Sequence, residues 1–165
     1  MCNRFRLPVA AVLGLSLVAV GCGKYSLSSL AAKRDFQSAN LLYQQEEYAQ
    51  AAEKYEAVIE NDPTLVSALF FLGNSYDNMY DPLLAGQPEN DGNLTKAIEY
   101  YKLSAEKETD PNMRRLALEY LVAAYGPDKL NDPDQAEPIV QQMIEMDPNE
   151  PSNYFALATI YENTG

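Results

Sequence analysis

The 165 residues of this sequence contain no histidine. The candidates for chemistry that we consider first are its carboxylates and its two cysteines. Imidazole bases, His-assisted nucleophiles and His-ligated metals are therefore excluded. Glu89, Asp91 and Gly92 faintly suggest a calcium loop. The Glu that such a loop requires would fall on Ile98, and Gln87 stands at its opening Asp position. We therefore interpret the segment as a turn, and we expect neither a metal site nor a cofactor.

One cysteine lies where a lipid anchor would be attached. Arg4 and Arg6 precede an uncharged run of fourteen residues, 7–20, which has the length of a signal-peptide hydrophobic region and is short for a bilayer-spanning helix. The run is followed by Gly21 and Cys22. This junction resembles the bacterial lipobox, which implies a lipoprotein signal peptide over residues 1–21 and acylation of Cys22. An ordinary secretory signal with an incidental cysteine is the alternative.

The lipid anchor would also account for the cysteine count. Cys2 lies in the segment that cleavage would remove, and the one remaining thiol, a liability in an oxidising compartment, would be acylated. Residues 22–31 are then the lipidated cysteine and a tether. Gly23 is not the Asp that favours inner-membrane retention in enteric bacteria, so we expect a lipid-anchored protein of the cell envelope, at the periplasmic face of the outer membrane.

The charge of the chain narrows the range of partners. Twelve Lys and Arg stand against 24 Asp and Glu, giving a formal net charge of -12. Nucleic acid and anionic lipid headgroups would be repelled, so neither is expected as a partner. The negative charge is compatible with a basic protein segment as the partner. Alternatively, the charge only reflects a helix surface that faces solvent.

Internal repeats predict the fold. Asp-Pro pairs recur at 62–63, 110–111 and 147–148, and proline ends a helix while restricting the residue before it. Between these pairs the residues resemble the tetratricopeptide signature W-x2-L-G-x2-Y, then A-x3-F, then P. The matching residues of the second and third units are Leu69, Leu72, Gly73, Tyr76, Ala97, Tyr101 and Pro111, then Leu118, Leu121, Val122, Tyr125, Ala136, Val140 and Pro148. Those of the weaker first unit and the partial fourth are Ala39, Leu42, Ala51, Tyr55 and Pro63, then Tyr154, Leu157, Ala158 and Tyr161.

This resemblance implies an all-α fold, a right-handed superhelix of antiparallel helix pairs with three repeats and the first helix of a fourth. The predicted array and its repeats cover residues 32–165, divided at about 32–65, 66–112, 113–149 and 150–165. The second repeat carries an insertion, 81–92, which is rich in turn formers and is expected to be a dispensable surface loop. The partial last repeat leads us to expect a longer array in the complete protein.

In proteins of this family the first helices of the pairs line a concave groove that holds a partner segment. The residues that the resemblance places on the groove are Phe36, Asn40, Tyr43, Phe70, Asn74, Asp77, Glu119, Ala123, Phe155 and Thr159. Rings offer rigid apolar area and amides can bond a peptide backbone. Alternatively, the Phe rings lie at the edge of the core between the helices. Capture of a C-terminal carboxylate is not expected, because Phe36, Leu116 and Tyr120 stand where that clamp uses basic residues.

These features favour a non-enzymatic envelope lipoprotein that holds protein or peptide partners, with no small-molecule substrate. A scaffold in the assembly of an envelope complex is the leading hypothesis. The alternative is a regulatory or docking module of a longer chain whose enzymatic domain lies beyond the residues shown.

Overall fold

Seven α-helices and no strand make up residues 27–164, the part of the chain that the computed structural model describes. The helices are α1 (Leu27–Gln44), α2 (Tyr48–Asn61), α3 (Ser67–Met79), α4 (Pro88–Lys107), α5 (Pro111–Tyr125), α6 (Pro133–Met146) and α7 (Pro151–Thr164). A single 3-10 turn, Pro82–Leu84, lies between α3 and α4. None of the helices in this range is long and apolar enough to cross a bilayer.

Proline and aspartate set the beginnings of the later helices. Pro111 and Pro133 each occupy the first turn, where the missing N–H costs no hydrogen bond. The carboxylate of Asp110 accepts the backbone N–H of Asn112 at 2.8 Å, and Asp132 accepts that of Gln135 at 3.2 Å. The Asp-Pro pair before α5 therefore works as an N-terminal cap with a helix-compatible proline.

Each helix packs against the next one along the chain, α1 on α2 through to α6 on α7. This consecutive packing is that of a tetratricopeptide-type helical-repeat solenoid, and the predicted all-α fold is confirmed. Gly73 shows why small residues recur in the repeats. A Cβ atom there would lie 3.0 Å from the Tyr101 ring and 3.2 Å from the carbonyl oxygen of Ala97. Helix α4 can approach α3 this closely because residue 73 has no side chain.

The structure changes two of the predicted segments. Helix α1 begins at Leu27 and Ala32 is already fully buried, so the second half of the predicted tether belongs to the array. The signal peptide 1–21 and Cys22 lie outside the described residues.

The insertion is also more ordered than the sequence indicated. Helix α4 begins at Pro88, so its first turns include the second part of 81–92. Asn90 is 7 % exposed, accepts the N–H of Asp81 at 2.8 Å and donates to its carbonyl at 3.0 Å. The prediction of a plain surface loop was wrong here, because a proline at the first helical position followed by acidic residues favours a helix start over the turn that Asp91-Gly92 suggested.

Candidate functional site between helices α5 and α7

The contact between the first and second repeats is filled by three aromatic rings. Phe36 of α1 lies 5.8 Å from Tyr55 of α2 and 6.1 Å from Phe71 of α3, measured between ring centroids. Tyr55 and Phe71 stack on each other at 5.9 Å. We call this set the first ring triplet. It joins α1, α2 and α3.

The second and third repeats meet in the same way. Phe70 of α3 lies 5.8 Å from Tyr101 of α4 and 5.2 Å from Tyr120 of α5, and the two tyrosines are 5.4 Å apart. These three residues, the second ring triplet, occupy the same repeat positions as the first. Phe36 and Phe70 lie three residues before Ala39 and Gly73, and Tyr55 and Tyr101 lie four residues after Ala51 and Ala97. Phe71 and Tyr120 lie two residues before Gly73 and its equivalent Val122.

Asparagine side chains bond the hydroxyl groups of two triplet tyrosines, Tyr55 and Tyr101. Tyr55 donates its hydroxyl to Asn40 Oδ1 at 2.6 Å. Asn74 accepts the hydroxyl of Tyr43 and donates its own amide to the Tyr101 oxygen at 3.2 Å. Desolvation by burial raises the pKa of Tyr55 and of Tyr101 well above the ordinary tyrosine value, so both hydroxyls stay protonated and can donate.

An ion pair fixes the loop between α5 and α6 onto α3. The Lys129 ammonium contacts Asp77 Oδ1, and the Asp77 side chain is only 9 % exposed. The other carboxylate oxygen accepts the hydroxyl of Tyr101 at 3.2 Å. Asp77, predicted to line a groove, therefore has partners on two other elements.

Several of the predicted groove residues thus belong to the core of the array. Phe70 is 5 % exposed and Asn74 is 4 % exposed, so neither offers its side chain to a partner, and the prediction fails for both. The reason is that the following repeat covers the position, as the alternative reading of the Phe residues required. Phe36 and Tyr43 are partly buried against the same core. Asn40 is half-buried and bonded to Tyr55.

The third contact between repeats has no rings at the corresponding positions. Glu119 of α5, Val140 of α6 and Ala156 of α7 stand where the triplets have Phe, Tyr and an aromatic residue. Val140 is fully buried, whereas Glu119 turns along its own helix to pair with Arg115. A valine and an alanine cannot fill the volume that two rings fill in the preceding repeats.

A cleft opens between α5 and α7 at this place. It consists of two adjoining cavities of about 350 and 180 Å³, which share Val122 and Ala156 in their walls. The larger cavity continues past Ala123 and Thr159, two of the predicted groove residues, to the loop that carries Lys129. We call the two cavities together the α5–α7 cleft. Phe155, 73 % exposed on α7, does not line either cavity.

The smaller cavity has a buried polar group in its wall. Asn153 is 1 % exposed, and its amide nitrogen donates to the carbonyl oxygens of Met143 at 3.1 Å and Asp147 at 3.4 Å. Two carbonyl acceptors fix the orientation of the amide, since only the NH₂ group can face them. Its Oδ1 atom has no hydrogen-bond partner among the described residues. The cleft therefore has mainly apolar walls and a buried amide oxygen without a hydrogen bond beside its smaller cavity.

The first part of the array matches a known family. Residues 36–78, from the middle of α1 to the last turn of α3, match the family model described as a tetratricopeptide repeat. That match supports a tetratricopeptide-repeat protein. It also supports a scaffold for protein–protein interaction, in a fold that is typically non-enzymatic. No curated protein matches the chain.

The sequence interpretation did not identify Val122, Ala156 and Asn153 as site residues. A signal for the first two was present, because the aromatic pattern of the first repeats stops at Glu119, Val140 and Ala156. For Asn153 there was none, since its burial depends on how α7 docks. Within the part of the chain that the structure describes, no group of three or more acidic or cysteine side chains is placed to hold a metal ion.

Proposed function

We propose that this chain is an envelope docking scaffold that binds a segment of a protein partner in the α5–α7 cleft and is held to the membrane through a lipid on Cys22. One observation carries the binding part of this proposal. Of the three contacts between repeats, the first two are filled by ring triplets, whereas the third leaves cavities of about 350 and 180 Å³.

The chemistry of the cleft suits a peptide. Its larger cavity is within the size range of binding pockets, about 300–1,000 Å³, and its walls are mainly apolar with a few polar groups. Ala123 and Thr159 lie on first helices of the repeats, as the groove prediction requires. Asp128, exposed at the loop end, offers a polar contact to a backbone or side chain that leaves the cleft.

The anchor would place the first repeat close to a membrane surface. Five residue steps separate Cys22 from Leu27, the start of α1, and these span at most about 17 Å. The acylation expected for the lipobox-like junction would therefore hold the first repeat near the bilayer, with α5 and α7 at the far end of the array. This arrangement favours a scaffold that presents its cleft to a partner in the periplasm, and we propose the outer membrane as its site.

A photoreactive side chain tests the binding part. We place it at Thr159, on the edge of the cleft, and as the matched control at Glu53, which is exposed on α2. On irradiation in the native envelope, position 159 should give a discrete adduct with another protein and position 53 should not. Equal adducts at both positions, or none at 159, would refute the cleft as the docking site.

The anchor is tested separately by intact mass. The membrane-extracted protein should begin at residue 22 and carry acyl chains, and Cys22→Ser should abolish both the processing and the added mass. Several acyl chains are expected, since a single one binds only marginally. A mature protein without acyl groups would contradict the anchor and would leave the binding proposal untouched.

A further inference from the structure

The turns inside the second and third repeats present leucines to solvent. Between α3 and α4, Leu83 is 92 % exposed and Leu84 is 42 % exposed. Between α5 and α6, Leu130 is 48 % exposed. The residue before it, Lys129, contacts Asp77 in the last turn of α3, so the two turns lie at the same edge of the array. We call the surface that these turns form the turn edge, residues 81–92 and 126–134.

Hydrogen bonds fix both turns of this edge. The Asp81 carboxylate accepts the backbone N–H of Leu83 at 2.9 Å, and the buried Asn90 side chain bonds the Asp81 backbone. In the other turn, the backbone N–H of Asn131 donates to the carbonyl oxygen of Gly126 at 2.8 Å. A single exposed leucine is common on protein surfaces. Several leucines fixed at one edge lose little conformational freedom when a partner covers them, and this favours docking.

The turn edge carries an excess of negative charge. Each of its two segments contains three carboxylates. They are Asp81, Glu89 and Asp91, then Asp128, Asp132 and Asp134. Lys129 is the one Lys or Arg in the two segments, and its ammonium is already paired with Asp77. Residues 55–95 contain no Lys or Arg, and none follows Lys129. A partner that covers the leucines therefore meets carboxylates around them.

We propose that the turn edge docks a basic amphipathic segment of a partner protein. Its apolar side chains would cover Leu83, Leu84 and Leu130, and its Lys and Arg would face the carboxylates. Opposite charges across an interface steer association and disfavour wrong partners. A second copy of this chain, with its formal net charge of -12, would be repelled, as would nucleic acid and anionic lipid. The three leucines line neither cavity of the α5–α7 cleft, so this surface is separate from the site proposed above.

Three synthetic peptides of equal length test the proposal on the purified chain. The first repeats Leu and Lys in the order that gives a helix one apolar and one basic face. The second carries Glu in place of Lys, and the third carries Ser in place of Leu. Fluorescence anisotropy of the labelled peptides measures binding. We expect the Leu–Lys peptide to bind saturably and more tightly than the other two, with an affinity that falls as salt is added, because ions screen the exposed carboxylates.

Two double variants locate the binding. Leu83→Ser combined with Leu130→Ser should weaken binding of the Leu–Lys peptide by about tenfold or more, because two leucines no longer contribute buried apolar area. Glu89→Gln combined with Asp134→Asn should also weaken binding and make the affinity depend less on salt. The matched control is Leu30→Ser, which replaces a 52 % exposed leucine at the beginning of α1 and should leave the affinity unchanged. Circular dichroism confirms that each variant keeps its helices.

Three results would overturn the inference. They are no binding of the Leu–Lys peptide, equal binding of the Glu or Ser peptide, and unchanged binding in the double leucine variant. The outcome is separable from that of the cleft. Ala156→Phe, which places a ring in the cleft, should leave the affinity for the Leu–Lys peptide unchanged. Loss of binding in Ala156→Phe, with binding retained in the double leucine variant, would place the peptide in the cleft and contradict docking at the turn edge.

Discussion

Helices α1 to α5 and helices α5 to α7 use the same repeat pattern but fill the contacts between repeats with different residues. In the first part, two ring triplets with centroid distances of 5.2–6.1 Å close the contacts, and asparagine amides bond the tyrosine hydroxyls. In the second part, Glu119, Val140 and Ala156 replace the rings and a cleft opens. The residue types at three repeat positions thus determine whether the contact between two repeats is filled by rings or contains a cleft.

This comparison explains why the predicted groove is only partly available. A residue on the first helix of a repeat faces the groove only where the next repeat leaves it uncovered. Phe70 is covered by Tyr120, so it stabilises the array. Ala123 and Thr159 line the larger cavity, where α7 carries Ala156 in place of a ring.

The largest effect is expected when a triplet is broken. Phe70→Ala should lower the free energy of unfolding by about 3–5 kcal/mol, because it removes a buried ring and leaves a cavity. Glu119→Ala, at the same repeat position in the third repeat, removes a surface pair with Arg115 worth about 0.3–0.5 kcal/mol. Urea denaturation of both variants measures the contrast. Similar losses for the two substitutions would mean that the third contact is packed as tightly as the second.

Alkaline pH should weaken the first part of the array selectively. The pKa of Tyr55 and of Tyr101 is raised above the ordinary value of 10.0 by burial, so the unfolded chain releases these protons at lower pH than the folded chain. The stability linked to them is complete below about pH 10 and is lost as the pH rises above it. Thermal midpoints measured from pH 8 to pH 11 should fall at the upper end.

Replacing the hydroxyl groups provides the control for this effect. The variant with both Tyr55→Phe and Tyr101→Phe lacks the two triplet tyrosines whose pKa is raised by burial, so its thermal midpoint should depend less on pH in this range. An alkaline decline as steep as that of the unaltered chain would show that other groups cause it.

A smaller effect is expected from the ion pair that links the two parts. Lys129→Met should cost about 1–3 kcal/mol, because it leaves the Asp77 carboxylate, whose side chain is only 9 % exposed, with only the Tyr101 hydroxyl. Lys54→Met, at an exposed position on α2, is the matched control and should change stability little. Calorimetry of both variants checks this, and equal midpoints would show that the pair contributes nothing to the connection.

Much of the array could be predicted from the sequence, since its determinants are local. The Asp-Pro pairs and the small residues Ala39, Gly73 and Ala97 indicated where helices end and where they approach. The beginnings of α1 and α4 were harder, because a serine-rich stretch and an Asp91-Gly92 pair look like a tether and a turn until tertiary packing covers Ala32 and Asn90.

The candidate site was less predictable because it depends on the absence of aromatic rings from the repeat pattern. The groove positions follow from the repeat signature, but which of them are covered depends on side chains one repeat away. Tyr120 covers Phe70, and Ala156 leaves its own surroundings open. The burial of Asn153 depends on the docking of α7 against α6. No short-range residue spacing in the sequence indicates it.

Adding a ring to the cleft tests the central claim most directly. In a well-packed core, an alanine-to-phenylalanine change overpacks and typically costs about 1–3 kcal/mol or more. Ala117→Phe, in the fully buried part of α5, should show this loss. Ala156→Phe should cost nothing or raise the free energy of unfolding, since its ring enters the cleft where a triplet ring would lie. A loss for Ala156→Phe as large as that for Ala117→Phe would show that the third contact is already filled, and the account would be wrong.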